Sequence, residues 1–174
     1  MENIDVISEP VDPTVSANVN SLMTKAKSLR NSYGEFPVVA MPQDEGTYEF
    51  PLNADNLSDD ILDTWLVKLG AWRGYAINKI AENEGEIGLL SEGYDLMVLS
   101  KIADLEATST KKLLKDSLKG MILNDNPDLL ILAKKVMVLR AELKILKGRL
   151  SLYDTHFEAI SRVITRRGQE RQRS

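Results

Sequence analysis

The hydrophobic pattern of the last third of the chain predicts one long helix. Apolar and aromatic side chains recur there at alternating spacings of three and four residues, the repeat of a helix packed along one seam. Asn126-Pro127-Asp128 favours a helix start, because proline suits the first helical position, and the predicted helix covers residues 127–168. The central seam positions, predicted to form the core or an oligomer contact, are Leu132, Val136, Leu139, Leu143, Leu146, Leu150, Tyr153, Phe157 and Ile160.

A second apolar stripe lies beside this seam on the same predicted helix. Its members recur every seven residues and are Ile131, Val138, Ile145, Leu152 and Ala159. One partner helix cannot cover two stripes, so the earlier helix of the chain would cover one and a second subunit the other. The pattern therefore predicts a homo-oligomer.

The middle of the chain shows the same helical repeat, interrupted by glycines. Ser58 and the acidic residues after it form a good helix start, and the apolar spacing predicts a helix over residues 57–105. Gly85 and Gly88 each weaken a helix by about 1 kcal/mol relative to Ala, so we expect a bend or break there. Trp65 and Trp72 keep the apolar register, which favours core positions over base-stacking surfaces. A short helix is predicted over residues 110–122.

The first part of the chain carries five of the six prolines and few large apolar residues. Apart from a short amphipathic stretch over residues 19–29, we expect a mobile arm over residues 1–56, mostly extended or disordered. Residues 57–170 would form the folded domain. The predicted class is all-α: a long, antiparallel, coiled-coil-like helical hairpin or bundle with this arm at its N-terminal end.

Charge is distributed unevenly along the chain. From Lys134 to Ser174 there are eleven Lys and Arg and four Asp and Glu, a net charge of +7, whereas the first 133 residues carry −11. A solvated helix surface explains this split without any partner. The alternative is that the basic end meets a polyanion or an acidic surface of another subunit.

The arginines at the C-terminal end are the strongest candidate binding residues. Arginine recognises phosphate through two parallel hydrogen bonds, and arginine clusters release counterions from nucleic acid. Cations are also favoured at helix C-termini without any ligand. The predicted nucleic-acid contacts are Arg162, Arg166, Arg167, Arg171 and Arg173.

The sequence contains none of the spacings expected of common catalytic or metal sites. Cysteine is absent, and His156, the only histidine, falls on the flank of the last predicted helix. No phosphate-binding glycine loop or zinc-protease motif occurs. We therefore predict a non-enzymatic protein without catalytic residues, cofactor or metal.

No apolar run reaches the roughly 20 residues of a spanning helix, and the acidic start does not resemble a signal peptide. We expect a cytoplasmic protein without membrane contact.

The C-terminal half resembles phage recombination mediators of the UvsY type. The resemblance lies in Asn124–Leu130, the long seam, Leu150–Asp154 and Phe157–Arg162, and spans about residues 110–167. The run Ser161–Arg167 is also similar to the tails of small helical phage proteins of unknown role. The mediators, however, carry basic patches in their N-terminal half, where this chain is acidic.

The resemblance implies a homo-oligomeric accessory protein that binds single-stranded DNA and helps to load a recombinase in the host bacterial cytoplasm. A second hypothesis is a structural or assembly protein of a phage that contacts other phage proteins and has no nucleic-acid role. A basic helix with two apolar stripes suits both hypotheses, so the sequence leaves both open.

Overall fold

A computed structural model describes residues 13–31, 39–43, 48–108 and 114–173 of the chain. These ranges contain α-helices and no β-strand, so the predicted all-α class is confirmed. The helices are α1 (Pro13–Asn31), α2 (Asp59–Thr108), α3 (Lys115–Asp125) and α4 (Pro127–Arg173), and a single 3-10 turn covers Ala54–Asn56. None of the helices in these ranges is both long and apolar enough to cross a membrane.

The chain divides into two compact units that each draw on separate parts of the sequence. The first unit comprises Met1–Tyr33 and Glu84–Arg140, and the second comprises Gly34–Asn83 and Ala141–Ser174. This division differs from the predicted boundary between residues 56 and 57.

The start of α4 follows the predicted signals closely. The helix begins at Pro127, and the backbone amide of Leu129 donates to the carbonyl of Asn126 at 3.0 Å. The side-chain amide of Asn126 is used differently, because it donates to the carbonyl of Ile122 at 2.9 Å and so caps the end of α3. The helix continues to Arg173, past the predicted end at residue 168.

In the first unit, α1 is part of the hydrophobic core. Val15, Val19 and Ala26 are buried in one cluster with residues of the other helices. Those partners are Leu90, Tyr94 and Val98 of α2, Ile122 of α3, and Leu129, Leu132, Val136 and Leu139 of α4. The prediction of a mostly extended arm is therefore wrong for residues 13–31, of which only residues 19–29 were expected to form a short amphipathic stretch. The predicted arm is also wrong for residues 48–56, since Tyr48, Phe50 and Ala54 pack against a second apolar cluster. Residues 1–12, 32–38 and 44–47 of the predicted arm lie outside the described residues.

The helix α2 runs without a break through Gly85 and Gly88, contrary to the predicted interruption. Leu90, Tyr94 and Val98 recur every four residues and are buried, so tertiary packing outweighs the weak helical preference of glycine. Gly93 also allows α1 to approach closely, because a Cβ atom there would lie 2.8 Å from Cδ1 of Leu22.

In the second unit, α2 and α4 share another apolar cluster. Its buried members are Leu62, Leu69 and Ala76 of α2 and Tyr153, Ile160 and Val163 of α4. Asp59 pairs with Arg167, and Arg73 further along α2 pairs with Asp154 earlier on α4. Opposite directions of this kind are compatible with the predicted antiparallel hairpin. Trp65 and Trp72 pack against the cluster, as expected of core positions.

The predicted seam residues of α4 differ in burial, and the second stripe is solvent-exposed. Leu132, Val136, Leu139, Tyr153 and Ile160 are buried, whereas Leu143, Leu146, Leu150 and Phe157 are half-buried. In the second stripe, Ile131, Val138, Ile145 and Leu152 are between 46% and 58% exposed, and Ala159 is half-buried. Within one chain, the described residues leave this stripe largely uncovered.

Candidate nucleic-acid interface at the end of α4

The orientation of α4 about its own axis is fixed by its buried residues. Tyr153, Ile160 and Val163 pack into the core of the second unit. Side chains four residues apart lie on the same side of a helix, so Arg162 and Arg166 share one outer face. The core thus sets which arginines point to solvent and which lie against the rest of the unit.

Two of the five predicted arginines are bound to the start of α2. Nη1 of Arg167 donates to Oδ1 of Asp59 at 2.7 Å, and Nη2 of Arg171 donates to Oδ2 of the same carboxylate. Arg167 also donates to the backbone carbonyl of Asp55 at 2.6 Å, and its side chain is only 21% exposed. Arg167 therefore holds the end of α4 in place, and Arg171, whose side chain is 69% exposed, adds a second hydrogen bond to the same carboxylate.

The electrostatics of this contact agree with its geometry. Hydrogen bonds from Arg171 and then Arg167 hold the pKa of Asp59 below its usual value, because both arginines stabilise the ionised carboxylate. The same carboxylate raises the pKa of Arg171. At neutral pH, Asp59 is therefore ionised and hydrogen-bonded to both arginines.

Arg166 and Arg162 are more accessible than Arg167. Nη2 of Arg166 donates to Oδ1 of Asp55 at 2.6 Å, although both side chains are more than half exposed. Arg162 is 80% exposed and donates to Glu158, one helical turn earlier, at 3.1 Å. Exposed ion pairs contribute little stability and exchange readily with solvent, so another anion can replace either carboxylate.

A shallow groove of about 480 Å³ runs along this exposed face of α4. Its polar side chains include the two accessible guanidinium groups, two hydroxyls and one amide. The hydroxyl of Thr165 donates to the carbonyl of Ser161 at 2.8 Å. The residues that line the groove are Phe157, Glu158, Ser161, Arg162, Thr165, Arg166 and Gln169. Apart from Glu158, these groups suit an anionic ligand with an apolar part.

An aromatic group lies on the same unit and includes the only histidine. The imidazole of His156 stacks on the ring of Phe50 with centroids 3.8 Å apart, and its Nδ1 lies 2.6 Å from the hydroxyl of Tyr48. Burial lowers the pKa of His156, and burial together with Tyr153 raises the pKa of Tyr48 to about 12. His156 lies on the flank of α4, and through these contacts its imidazole anchors residues 48–50 to this helix.

The structure places the five predicted arginines in three different environments. Arg162 and Arg166 share the groove, whereas Arg167 and Arg171 bind Asp59, and Arg173 is exposed at the end of α4. The acidic partners were not foreseen, because the sequence indicated only that acids favour the start of a helix. A charge pair between residues more than a hundred positions apart leaves no local signal in the sequence.

The described residues contain no group of three or more His, Asp or Glu side chains that could hold a metal ion. Comparisons with models of protein families, with curated proteins and with solved structures gave no match to this chain. The resemblance to phage recombination mediators therefore remains a prediction.

Proposed function

We propose that the protein is a non-enzymatic accessory of phage DNA recombination that binds single-stranded DNA as an oligomer. The proposed DNA-binding surface is the groove along the end of α4. Arg162 and Arg166 contact phosphate, and Arg173 extends the positive charge along the same helix. This proposal narrows the predicted phosphate contacts, because Arg167 is largely enclosed and both Arg167 and Arg171 bind Asp59 in the free protein.

The observation that carries the proposal is the pairing of two accessible guanidinium groups one turn apart beside hydroxyl and amide groups. Arg162 and Arg166 lie about 6 Å apart along the helix axis, at 1.5 Å per residue. Each can present two parallel N–H groups to one phosphate. Recognition of the backbone in this way is independent of base sequence.

The binding surface also contains negative charge that DNA must displace. Glu158 and Asp55 occupy the two arginines in the free protein. Binding is therefore an exchange of carboxylate for phosphate, and we expect moderate affinity per subunit. Several linked subunits on one strand raise the overall affinity, because each later contact is intramolecular. This is the reason that oligomerisation belongs to the proposed function.

A titration of fluorescein-labelled dT20 with the full chain, followed by anisotropy over a salt series, tests the proposal. On single strands the log–log slope changes by about 0.7 for each phosphate contact. Joint replacement Arg162→Gln and Arg166→Gln should therefore flatten the slope by about 1.4 per subunit engaged. The matched control is Lys144→Gln with Arg149→Gln, which removes the same charge from exposed positions of α4 outside the groove.

The proposal requires that replacement of Arg162 and Arg166 flatten the salt slope by about 1.4 more than replacement of Lys144 and Arg149. Equal effects of the two pairs would mean that only net charge matters. Absence of wild-type binding at about 50 mM salt, with the protein folded, would exclude the DNA-binding function.

The second candidate function is assembly with other phage proteins. The exposed stripe of Ile131, Val138, Ile145 and Leu152 favours it, because apolar side chains at a seven-residue spacing suit a partner helix. Self-association through this stripe serves both functions, so the DNA titration is what separates them.

A further inference from the structure

Arg73 of α2 extends the candidate interface beyond the residues of α4. Its guanidinium carbon lies 4.7 Å from the centroid of the Phe157 ring, and Phe157 is one of the residues that line the groove. Arg73 therefore brings a planar cation from a second helix to one end of this groove. No pattern along the sequence indicated this contact, since the two residues are far apart in the chain.

The guanidinium of Arg73 is held in a defined orientation. Its Nε donates to Oδ1 of Asp154 at 2.5 Å, and Phe157 lies three residues after Asp154 on the same helix. A hydrogen bond to one edge and an aromatic ring against the guanidinium restrict the rotation of a side chain that is otherwise long and mobile. The side chain is nevertheless 35% exposed, so part of it remains open to a ligand.

We infer that Arg73, supported by Phe157 and Asp154, is a stacking platform for a nucleotide base, which makes the groove selective for single-stranded DNA. This inference rests on the proposed function. The bases of a single strand stack on aromatic rings and on guanidinium planes, whereas the faces of duplex bases are already stacked on each other. A base on Arg73 leaves its phosphates to the arginines further along α4.

The dimensions and chemistry of the groove agree with this assignment. Its volume of about 480 Å³ lies within the ordinary range of small-ligand sites. Phe157 lies at one end, and Arg162 and Arg166 follow within about three helical turns. A base would lie at the aromatic end of the groove, beside Phe157. The phosphates would lie at the basic end, beside Arg162 and Arg166.

The test compares dT20 with an abasic oligomer of the same length and with a duplex of the same length. The abasic oligomer keeps every phosphate and loses every base. We expect the wild-type chain to prefer dT20 over the abasic oligomer by about fivefold or more, the effect of stacking one base. Arg73→Lys keeps the charge and removes the planar face, so the preference should fall toward one while the salt slope stays unchanged.

Arg149→Lys is the matched control, because Arg149 is exposed on α4 and does not line the groove. It should leave both the preference and the slope unchanged. Arg73→Gln provides a second variant that should also lose the preference while the salt slope stays close to that of the wild type, and circular dichroism melting verifies that each variant is folded.

The outcomes separate this inference from the proposed function. A wild-type chain that binds none of the oligomers at about 50 mM salt contradicts the proposed function and the inference with it. A chain that binds dT20, the abasic oligomer and the duplex equally well contradicts the inference alone. A preference that survives in Arg73→Lys and Arg73→Gln would assign stacking to a residue other than Arg73.

Discussion

At the scale of single residues, the carboxylates of Asp55 and Asp59 determine which C-terminal arginines are hydrogen-bonded within the chain. Asp59 receives hydrogen bonds from Arg167 and Arg171, whereas Asp55 accepts one from Arg166. Asp55 lies in the 3-10 turn, and Asp59 is the first residue of α2, so both acids belong to one short stretch of the chain. The same stretch therefore anchors the end of α4 and neutralises part of its basic surface.

The contact at Asp59 should make the end of α4 sensitive to acid. The pKa of Asp59 is lower in the folded state than its usual value of 3.8. A lowered carboxylate pKa gives stability that is fully present above the unfolded value and lost as pH falls through the folded value. We expect the protection of the backbone amides at residues 163–173, taken as the exchange rate relative to the intrinsic rate at the same pH, to fall below about pH 4 in the wild type.

Asp59→Asn should show lower amide protection in this segment already at pH 7 and little further loss of protection on acidification. Asp60→Asn is the control, since it removes the same charge one residue away and Asp60 forms no ion pair with the described arginines. Identical profiles for the two variants would contradict the role given to Asp59.

Asp55 should compete with DNA for Arg166. Replacement Asp55→Asn keeps the backbone carbonyl that Arg167 uses and removes the carboxylate that Arg166 uses. An exposed ion pair contributes at most about 1 kcal/mol, so the affinity for dT20 should rise by up to about fivefold. Anisotropy titration at one salt concentration measures the change. A rise of the same size in Asp60→Asn would assign the effect to net charge.

His156 should make stability depend on pH near neutrality. Burial lowers its pKa below the usual 6.5, so the unfolded chain takes up the proton first as pH falls. The folded state should therefore lose stability as pH falls below about 6.5. The measurement is the melting temperature between pH 7.5 and 5.5, and His156→Gln should remove this part of the dependence. An NMR titration with an imidazole pKa above 6.5 would contradict the assignment.

At the scale of elements, α1 shows that tertiary packing can stabilise a helix whose sequence signal is weak. Val15, Val19, Leu22, Ala26 and Leu29 recur at spacings of four and three, which is the same repeat that revealed α4. Only its part over residues 19–29 was recognised, because the nearby prolines and the small size of several residues obscured the start of the helix. Pro13 in fact occupies the first position of α1, where proline is favoured. Small side chains here permit close packing against α2.

The close approach of α1 to α2 predicts opposite effects for two glycine substitutions. Gly88→Ala meets no atom within 4 Å and should stabilise the fold by up to about 1 kcal/mol through helix propensity. At Gly93 a Cβ atom would lie 2.8 Å from Cδ1 and 3.2 Å from Cγ of Leu22, so Leu22 must move. Gly93→Ala should therefore be less stable than Gly88→Ala by about 1 kcal/mol or more.

Urea unfolding of both variants measures this difference. Leu22→Ala in the Gly93→Ala background provides the control, because it removes the side chain that the new methyl group would contact. The cost of Gly93→Ala should be smaller in that background. An equal gain at both glycines would show that α1 does not pack closely on α2.

At the scale of the whole molecule, the sequence predicted the class of fold better than the site. Periodicity is a local property, so the long helices and the start of α4 at Pro127 could be read directly. The pairing of Asp59 with Arg167 and the contact of Arg73 with Phe157 join residues that are distant in sequence. Such contacts depend on how the helices pack, which composition and spacing do not specify. The arginine tail was thus recognised as basic, but its structural and accessible members could not be separated.

The exposed stripe on α4 bears on whether whole chains associate. Ile131, Val138, Ile145 and Leu152 are each about half exposed, and a face of this kind is best stabilised by an apolar partner. We expect the protein to sediment as an oligomer, above the 19.5 kDa of one chain.

Ile145→Glu places a charge in the middle of the stripe and should shift the protein to monomer while the helical circular dichroism signal is kept. A charge buried in an interface without a partner is strongly unfavourable, so the dissociation constant should rise at least tenfold. Ser151→Glu adds the same charge at an exposed polar position of α4 and should leave the oligomer intact. Leu146→Asp should instead lower the melting temperature, because a charge at this half-buried position loses part of its hydration. A wild-type chain that sediments as a monomer at tens of micromolar would contradict self-association and leave the stripe to a different partner.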